Sequence, residues 1–365
     1  MTSTSYPQDG QDWRGRFIYN LTAALSRLPG LQLDLWAPPG ELPPGVSSVA
    51  TSADRNWLQL LSQRGGIAHL LRGSKPAALW AAMGLLCRLH RAYRRRPTTV
   101  VHVNWLQNAL PLWGTRTPAV ISVLGTDFGL LRLPGMATLL HRVLRQRRAV
   151  LAPNAEWMVP ELRQRFGDVA RVQAVPFGID RIWFDVERLQ PPTGRPKRWL
   201  VVARLTREKI GDLFDWGSGL FNGARELHLF GPMQEALTLP DWVHYHGPTH
   251  PAALLQYWIP EACGLITLSR HDEGRPQVVL EMMAAGLPVI ASDLPAHRDI
   301  IDNRRTGFLA DSPQTFALAL TRLEEPEVNA TVGDAARLWV RETCGTWDDC
   351  AARFADLYVD LSRNN

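Results

Sequence analysis

The chain has 365 residues, 45% of them hydrophobic and 21% charged, with a net charge of +5 and a pI of about 9.3. That balance excludes a disordered chain and supplies enough apolar residues for two domains of ordinary size. The positive excess suits an anionic partner without choosing among a phosphorylated metabolite, a membrane surface and nucleic acid.

The opening "MTSTSYPQDGQDWRG" is polar and lacks an apolar core, so it does not read as a secretory signal. Nothing in residues 1–6 reads as a strand. Short apolar, β-branched-rich runs then follow at 31–37, 99–103, 119–124, 149–152 and 171–175. The longest apolar run, 76–87, is too short for a bilayer, which takes about 20 residues. A polar, Pro-rich break at 188–198 precedes a second series of strand-like runs at 199–204, 226–231, 242–247, 264–269 and 288–293. Helix-patterned segments such as 135–147, 156–166, 249–258 and 313–323 fill the gaps. Buried-type strands alternating with helices predict parallel sheets covered on both faces. The expected division is 1–188, 189–345 and a terminal helical stretch, 346–365. Cys87, Cys263, Cys344 and Cys350 show no C-x-x-C spacing and read as free thiols of a reducing compartment.

In open α/β sheets, ligands sit beyond the carboxyl ends of the strands. In the second half those ends carry Arg204, Gly231, Gly247, Ser269 and Asp293. Arg204 and Lys209 share the loop "RLTREKIGD". The stretch "SRHDEGRPQVVLEMMAAGLPVIASD" carries Glu273 and Glu281, with Gly274, Arg275 and Pro276 at the entrance of a helix expected to start near Pro276. Two cations and the free N–H groups of a helix N-terminus make a plausible cradle for a diphosphate, with Gly274 allowing close approach. A carboxylate accepts two hydrogen bonds side by side, which suits a vicinal diol. Taken singly, Glu273 reads as a solvated loop charge and Glu281 as a surface helix residue. The agreement of the cations, the glycines and the sheet order weighs against that blander reading.

Residues 199–310 resemble the nucleotide-binding half of glycosyltransferase family 4. The segments that carry the likeness are "VARLTREK", "HLFGP", "VHYHGPTHPAALLQYW", "LSRHDEGRPQVVLEMMAAGLPVIASD" and "DIIDNRRTGFL". The resemblance implies a GT-B fold, with two Rossmann-like parallel-sheet domains facing a cleft and a C-terminal helix crossing back to the first. It implies a nucleotide-sugar donor, UDP- or GDP-linked, and transfer with retention of configuration. Arg204 and Lys209 would hold the diphosphate, Glu281 the ribose and Glu273 the transferred sugar. Segments at Gly231–Pro232 and Val243–His244 would flank the base, and Gly15 would approach the donor phosphates. Three departures are visible. Ile210 separates Lys209 from Gly211, the expected first strand is missing through truncation or a sheet one strand short, and Leu124 stands where the family often has a His.

His102 and Asn104 close a strand of the first half, and Asp127 follows another; these are the acceptor-side candidates. Each has a structural alternative, a packed strand-end His or a helix cap. His244, His246, His250 and His271 lack metal-ligand spacing, and no D-x-D ends a strand, so neither metal nor cofactor is expected. In "GLLCRLHRAYRRRP", Arg88, Arg91 and Arg95 share a helical face after an apolar run with Trp80, which reads as an interfacial helix or as a core helix with a solvated edge. No nucleic-acid motif is present. The reading is a hexosyltransferase acting on a glycan or lipid-linked acceptor in cell-surface polysaccharide synthesis. It would be cytoplasmic, with a possible place at the inner face of the membrane. The alternatives are a non-catalytic GT-B subunit and a GT-B nucleotide-sugar epimerase.

Overall fold

A computed structural model describes residues 1–10, 12, 14–65, 75–95, 97–189, 194–271 and 273–363. Residues 190–193 of the Pro-rich break, Asp272 of the acidic loop and Arg96 of the basic run lie outside the described residues. The chain divides into two compact units, Met1–Phe177 with Trp347–Asn365, and Gly178–Thr346.

In the first unit, β1 (Leu33–Leu35) pairs with β2 (Val46–Ser48), and β3 (Val101–Asn104), β4 (Ala119–Val123), β5 (Ala149–Pro153) and β6 (Arg171–Val172) pair in that order, all parallel. Every residue of β4 is buried, as a strand covered on both faces requires. Successive side chains point to opposite faces. Ala119, Ile121 and Val123 therefore join one core with Leu85 and Leu89 of the helix Lys75–Arg95. Val120 joins the other, with Ile18, Leu21 and Leu25 of the helix Arg16–Ser26 and Phe354 and Leu357 of the helix Trp347–Ser362.

Residues 1–3 lie between β1 and β3 as isolated bridges, not as a strand of their own. Thr2 bridges Trp36 on one side and Val103 on the other. Its N–H donates to His102 O at 2.8 Å, and Ser3 N–H donates to Trp36 O at 2.9 Å. Residues 1–3 thus join the two sets of strands. So short a pairing needs no alternating apolar pattern, which is why "MTS" gives no strand signal. β2 was missed for the same reason, since only Val46 of its three residues is buried.

In the second unit, β7 (Lys197–Val202), β8 (Arg225–Phe230), β9 (Val243–Gly247), β10 (Gly264–Thr267), β11 (Val289–Ser292) and β12 (Phe308–Ala310) form one parallel sheet in the order β12-β11-β10-β7-β8-β9. Trp199, Val201, Ile266 and Ile290 face one core, and Leu200, Leu265, Val289 and Ala291 face the other. The helix expected over 249–258 is broken. Pro251 starts a short turn, Pro251–Ala253, and Leu254–Trp258 is π-helical, with Ile259 N–H reaching back to Leu254 O at 2.9 Å. The chain runs from β7 outward to β8 and β9, then returns to place β10 on the other side of β7. That reversal positions the site.

Candidate active site

A crevice opens beyond the carboxyl ends of strands where successive connections diverge to opposite sides. Here it lies between β7 and β10, bordered by the loops that follow them. Gly231, at the end of β8, has φ +128°, and a Cβ there would lie 1.8 Å from Ala203 O. Leu205 N–H donates to Pro232 O at 2.9 Å, so the loops after β7 and β8 run side by side. Arg204 is exposed at this rim.

The next turn, Arg207–Ile210, is capped by Thr206, whose hydroxyl accepts from Lys209 N–H at 3.2 Å. Gly211 has φ +55°, and a Cβ there would lie 1.8 Å from Leu268 O. Only glycine lets this turn press against the end of β10. Arg270 N–H closes the seam on Glu208 O at 2.7 Å, and His271 Nδ1 lies 2.9 Å from the Glu208 carboxylate. The consequence is a direct ion pair between Lys209 Nζ and the Glu273 carboxylate, with the two side chains only 14% and 23% exposed.

The helix Gln277–Ala284 follows Glu273. Pro276 is its cap and not its first residue, with ψ 111° outside the helical range. The first turn has neither a side-chain cap nor an acidic residue, which leaves its N–H groups suited to an anion. Gln277 Nε2 donates to Gly178 O at 3.0 Å and anchors the helix start. Glu281, half-buried a turn further on, makes no hydrogen bond or ion pair with any described side chain. Burial pushes its pKa up to about 8, with the nearby Asp180 carboxylate a smaller contribution.

Arg275 is placed otherwise. Its side chain is buried, with Nε at 3.1 Å and Nη2 at 2.5 Å from Asp299 Oδ2. It braces the helix entrance from the core. His244 also departs from expectation. It lies inside β9, three residues before the strand's carboxyl end at Gly247, with its ring 5.1 Å from that of His228. His228 in turn contacts His246 at 3.0 Å and Glu226 at 3.2 Å.

The first-unit candidates are engaged in packing. Gly15 has φ +67°, and a Cβ there would lie 2.6 Å from the backbone of Ser5, which explains the glycine locally. His102 is buried between Tyr358 Oη at 2.5 Å and Ser122 Oγ at 2.8 Å, and burial lowers its pKa to about 3. Asn104 is buried and donates from Nδ2 to Thr2 O at 3.1 Å. The buried Asp127 accepts from Leu106 and Leu124 N–H, both at 2.7 Å, and its side chain does not cap the helix Phe128–Arg132 that follows it. Leu124, at the end of β4, packs against the core.

Sequence reasoning passed over Asp180, which stood in the segment "PFGID" with no role, and His297. His297 Nδ1 donates to Ser292 O at 2.7 Å, and the buried ring feels both Glu273 and Lys209. A lone His in "LPAHRD" carries no pattern that would have flagged it.

Solved structures share this architecture along nearly the whole chain. Sucrose-phosphate synthase from Thermosynechococcus elongatus superposes with a TM-score of 0.71 at 17% identity, over 97% of this chain and 95% of that one. Anabaena HepE in complex with UDP-glucose superposes with a TM-score of 0.64 at 13% identity, over 98% of each chain. The fold is α/β of the GT-B glycosyltransferase type. Residues 202–325, most of the second unit, match the family model described as Glycosyl transferases group 1. D-inositol 3-phosphate glycosyltransferase of Streptomyces avermitilis is 28% identical over 126 residues, 34% of this chain and 26% of that protein. Glycosyltransferase 1 domain-containing protein 1 of Xenopus tropicalis is 30% identical over 115 residues, 31% of this chain and 33% of that protein. The similarity thus spans about a quarter to a third of these relatives' length. Fold and family match together support a glycosyltransferase of GT-B type in the group 1 superfamily.

Proposed function

We propose that the chain moves a hexosyl group from a UDP- or GDP-linked sugar to a glycan or lipid-linked acceptor, as a member of glycosyltransferase family 4. The observation that carries this is the Lys209–Glu273 pair, held at the strand switch point beside the uncapped helix Gln277–Ala284. The complex of HepE with UDP-glucose supports a nucleotide-sugar donor.

Arg204, Lys209 and the helix N–H groups beside Gly274 take the diphosphate, Glu281 the ribose diol and Glu273 the transferred sugar. The acceptor hydroxyl attacks the anomeric carbon. The bond from that carbon to the diphosphate oxygen breaks, and its electrons stay on the leaving oxygen, where Arg204 and Lys209 stabilise the growing charge. Attack on the face of the departing group gives retention, and a leaving phosphate oxygen takes the acceptor proton. A protein base is then dispensable, which accommodates Leu124 at the end of β4. We place the activity in bacterial cell-surface polysaccharide synthesis, at the inner face of the membrane. No metal or cofactor enters the proposal.

Thermal shift with UDP, GDP, ADP and CMP sugars, followed by nucleotide release with and without acceptor, tests this. A bound donor at a hundredfold over its Kd should stabilise by about 2.7 kcal/mol. Nucleotide binding without release under any acceptor would leave a non-catalytic subunit, and release of a free epimerised sugar would leave an epimerase.

A further inference from the structure

The first unit holds a second concentration of cations, at the amino-terminal edge of its sheet. A shallow cavity of about 580 Å³ opens there, lined by Arg147, Arg148, Arg171 and Arg363, with Asp360 the one carboxylate in its described lining. Arg147 and Arg148 directly precede β5, Arg171 begins β6, and Arg363 follows the terminal helix.

The neutralisation of these charges is incomplete. Asp360 is engaged by Arg171, at 3.2 Å. Arg147 is buried and gives its donors to neutral oxygens, Val143 O at 3.1 Å, the Thr115 hydroxyl at 2.7 Å and Leu112 O at 2.8 Å. Burial lowers its pKa to about 10, as for a guanidinium with no carboxylate at hand. Arg148 makes no side-chain hydrogen bond or ion pair with any described residue, and its Nη2 is enclosed without an acceptor. Arg363 is exposed and also has no carboxylate among the described residues. Among the described lining residues, four arginines stand against one carboxylate. An enclosed guanidinium nitrogen without an acceptor is costly, and an anion that drew the Arg148 side chain towards the cavity would relieve that cost. The terminal helix ends nearby, and the partial negative charge of its last carbonyls opposes an anion, but that is only about half a charge.

We propose that this cavity binds a small phosphate-bearing anion, with Arg148 and Arg363 as its main contacts. Guanidinium forks match phosphate oxygens bidentately, and the volume suits a small metabolite. None of these residues belongs to the proposed donor site, which lies in the second unit.

The test uses inorganic pyrophosphate and the full chain carrying Arg204→Ala and Lys209→Ala, which removes the proposed diphosphate contacts. Calorimetry at low salt should show saturable binding of one pyrophosphate in that background. Adding Arg148→Gln or Arg363→Gln should weaken it about tenfold, equivalent to about 1.4 kcal/mol. Without ligand, neither change should lower Tm, since each removes an uncompensated cation. Loss of pyrophosphate binding on Arg204→Ala with Lys209→Ala alone overturns the proposal, as does binding that both Arg148→Gln and Arg363→Gln leave unchanged. Failure of the wild type to bind any nucleotide sinks the donor reading alone.

Discussion

Lys209 and Glu273, 64 positions apart, share an ion pair because Gly211 lets the turn after β7 lie against the end of β10. The pair stands where a diphosphate and its sugar are proposed to sit, so the cation is held in place before the donor arrives. Preorganisation of this kind stabilises charge that develops only as the sugar–phosphate bond breaks.

Lys209→Ala should therefore lower turnover by roughly a hundredfold to a thousandfold with a much smaller change in donor affinity. Glu273→Gln removes the carboxylate that competes for Lys209, so nucleoside diphosphate affinity should hold or tighten while turnover falls. Steady-state kinetics with nucleotide release, beside calorimetric binding, separates the two effects. Wild-type turnover of Lys209→Ala at saturating donor would refute the diphosphate clamp.

Arg275 and Asp299 form the contrasting case, a buried pair with side chains only 4% and 5% exposed. Removing Arg275 takes its guanidinium away from the buried Asp299 carboxylate. Arg275→Ala should cost about 3–5 kcal/mol in chemical denaturation. A residue that touched the donor would instead move KM with stability intact, and that outcome would return Arg275 to the donor site.

Most of the parallel strands were legible in the sequence because strands buried on both faces read as continuous apolar runs, whereas their order in the sheet and the Lys209–Glu273 pairing were not. The acidic, Gly-marked entrance to the helix Gln277–Ala284 also stands out locally. What was illegible depends on side-chain direction. Arg275 sits beside Glu273 in sequence, yet its guanidinium turns inward to Asp299, a partner 24 residues on. His102 looks like a strand-end ligand until Tyr358, 256 positions away, is packed against it. Residues 1–3 pair with both neighbouring strands through backbone bonds, which leave no mark on side-chain pattern.

The helix Lys75–Arg95 bears on the proposed membrane location. Arg88 does not share the expected basic face, because it stacks on Trp57 at 4.5 Å and lies 3.6 Å from Asp54. Leu79, Trp80 and Met83 are exposed along this helix and Arg91, Arg94 and Arg95 at its end, and Leu60 is exposed on the helix Ser52–Gln63. No helix among the described residues is long and apolar enough to cross a membrane. Each cation near an anionic surface contributes about 1 kcal/mol. Replacing Arg91, Arg94 and Arg95 by Ala should reduce co-sedimentation with anionic vesicles at low salt by roughly a hundredfold, and Trp80→Ala should reduce it further. Equal sedimentation of wild type and the triple variant would remove the membrane assignment.

Glu281 makes the sharpest prediction, because its stability and binding effects run in opposite directions. Its carboxyl is raised from 4.5 to about 8, so the folded state holds a proton that the unfolded state releases. At pH well below 4.5 both states are protonated and the group is neutral to stability. As pH rises from there towards 8 the unfolded state loses its proton first, and the folded state is progressively destabilised; above 8 the loss is complete. Glu281→Gln removes that titration. The variant should gain on wild type as pH rises, by an amount of order a few kcal/mol at pH 9, with the gap closing in acid. Its nucleotide affinity should move the other way, since an amide offers the ribose diol one acceptor oxygen in place of two. In wild type that affinity should strengthen as pH passes about 8 and the carboxylate forms, and in Glu281→Gln it should be flat across the same range. Denaturation midpoints and calorimetric Kd values, both taken from pH 5 to 9, check the two arms. A variant that binds nucleotide like wild type at every pH would separate Glu281 from the ribose, whatever its stability does.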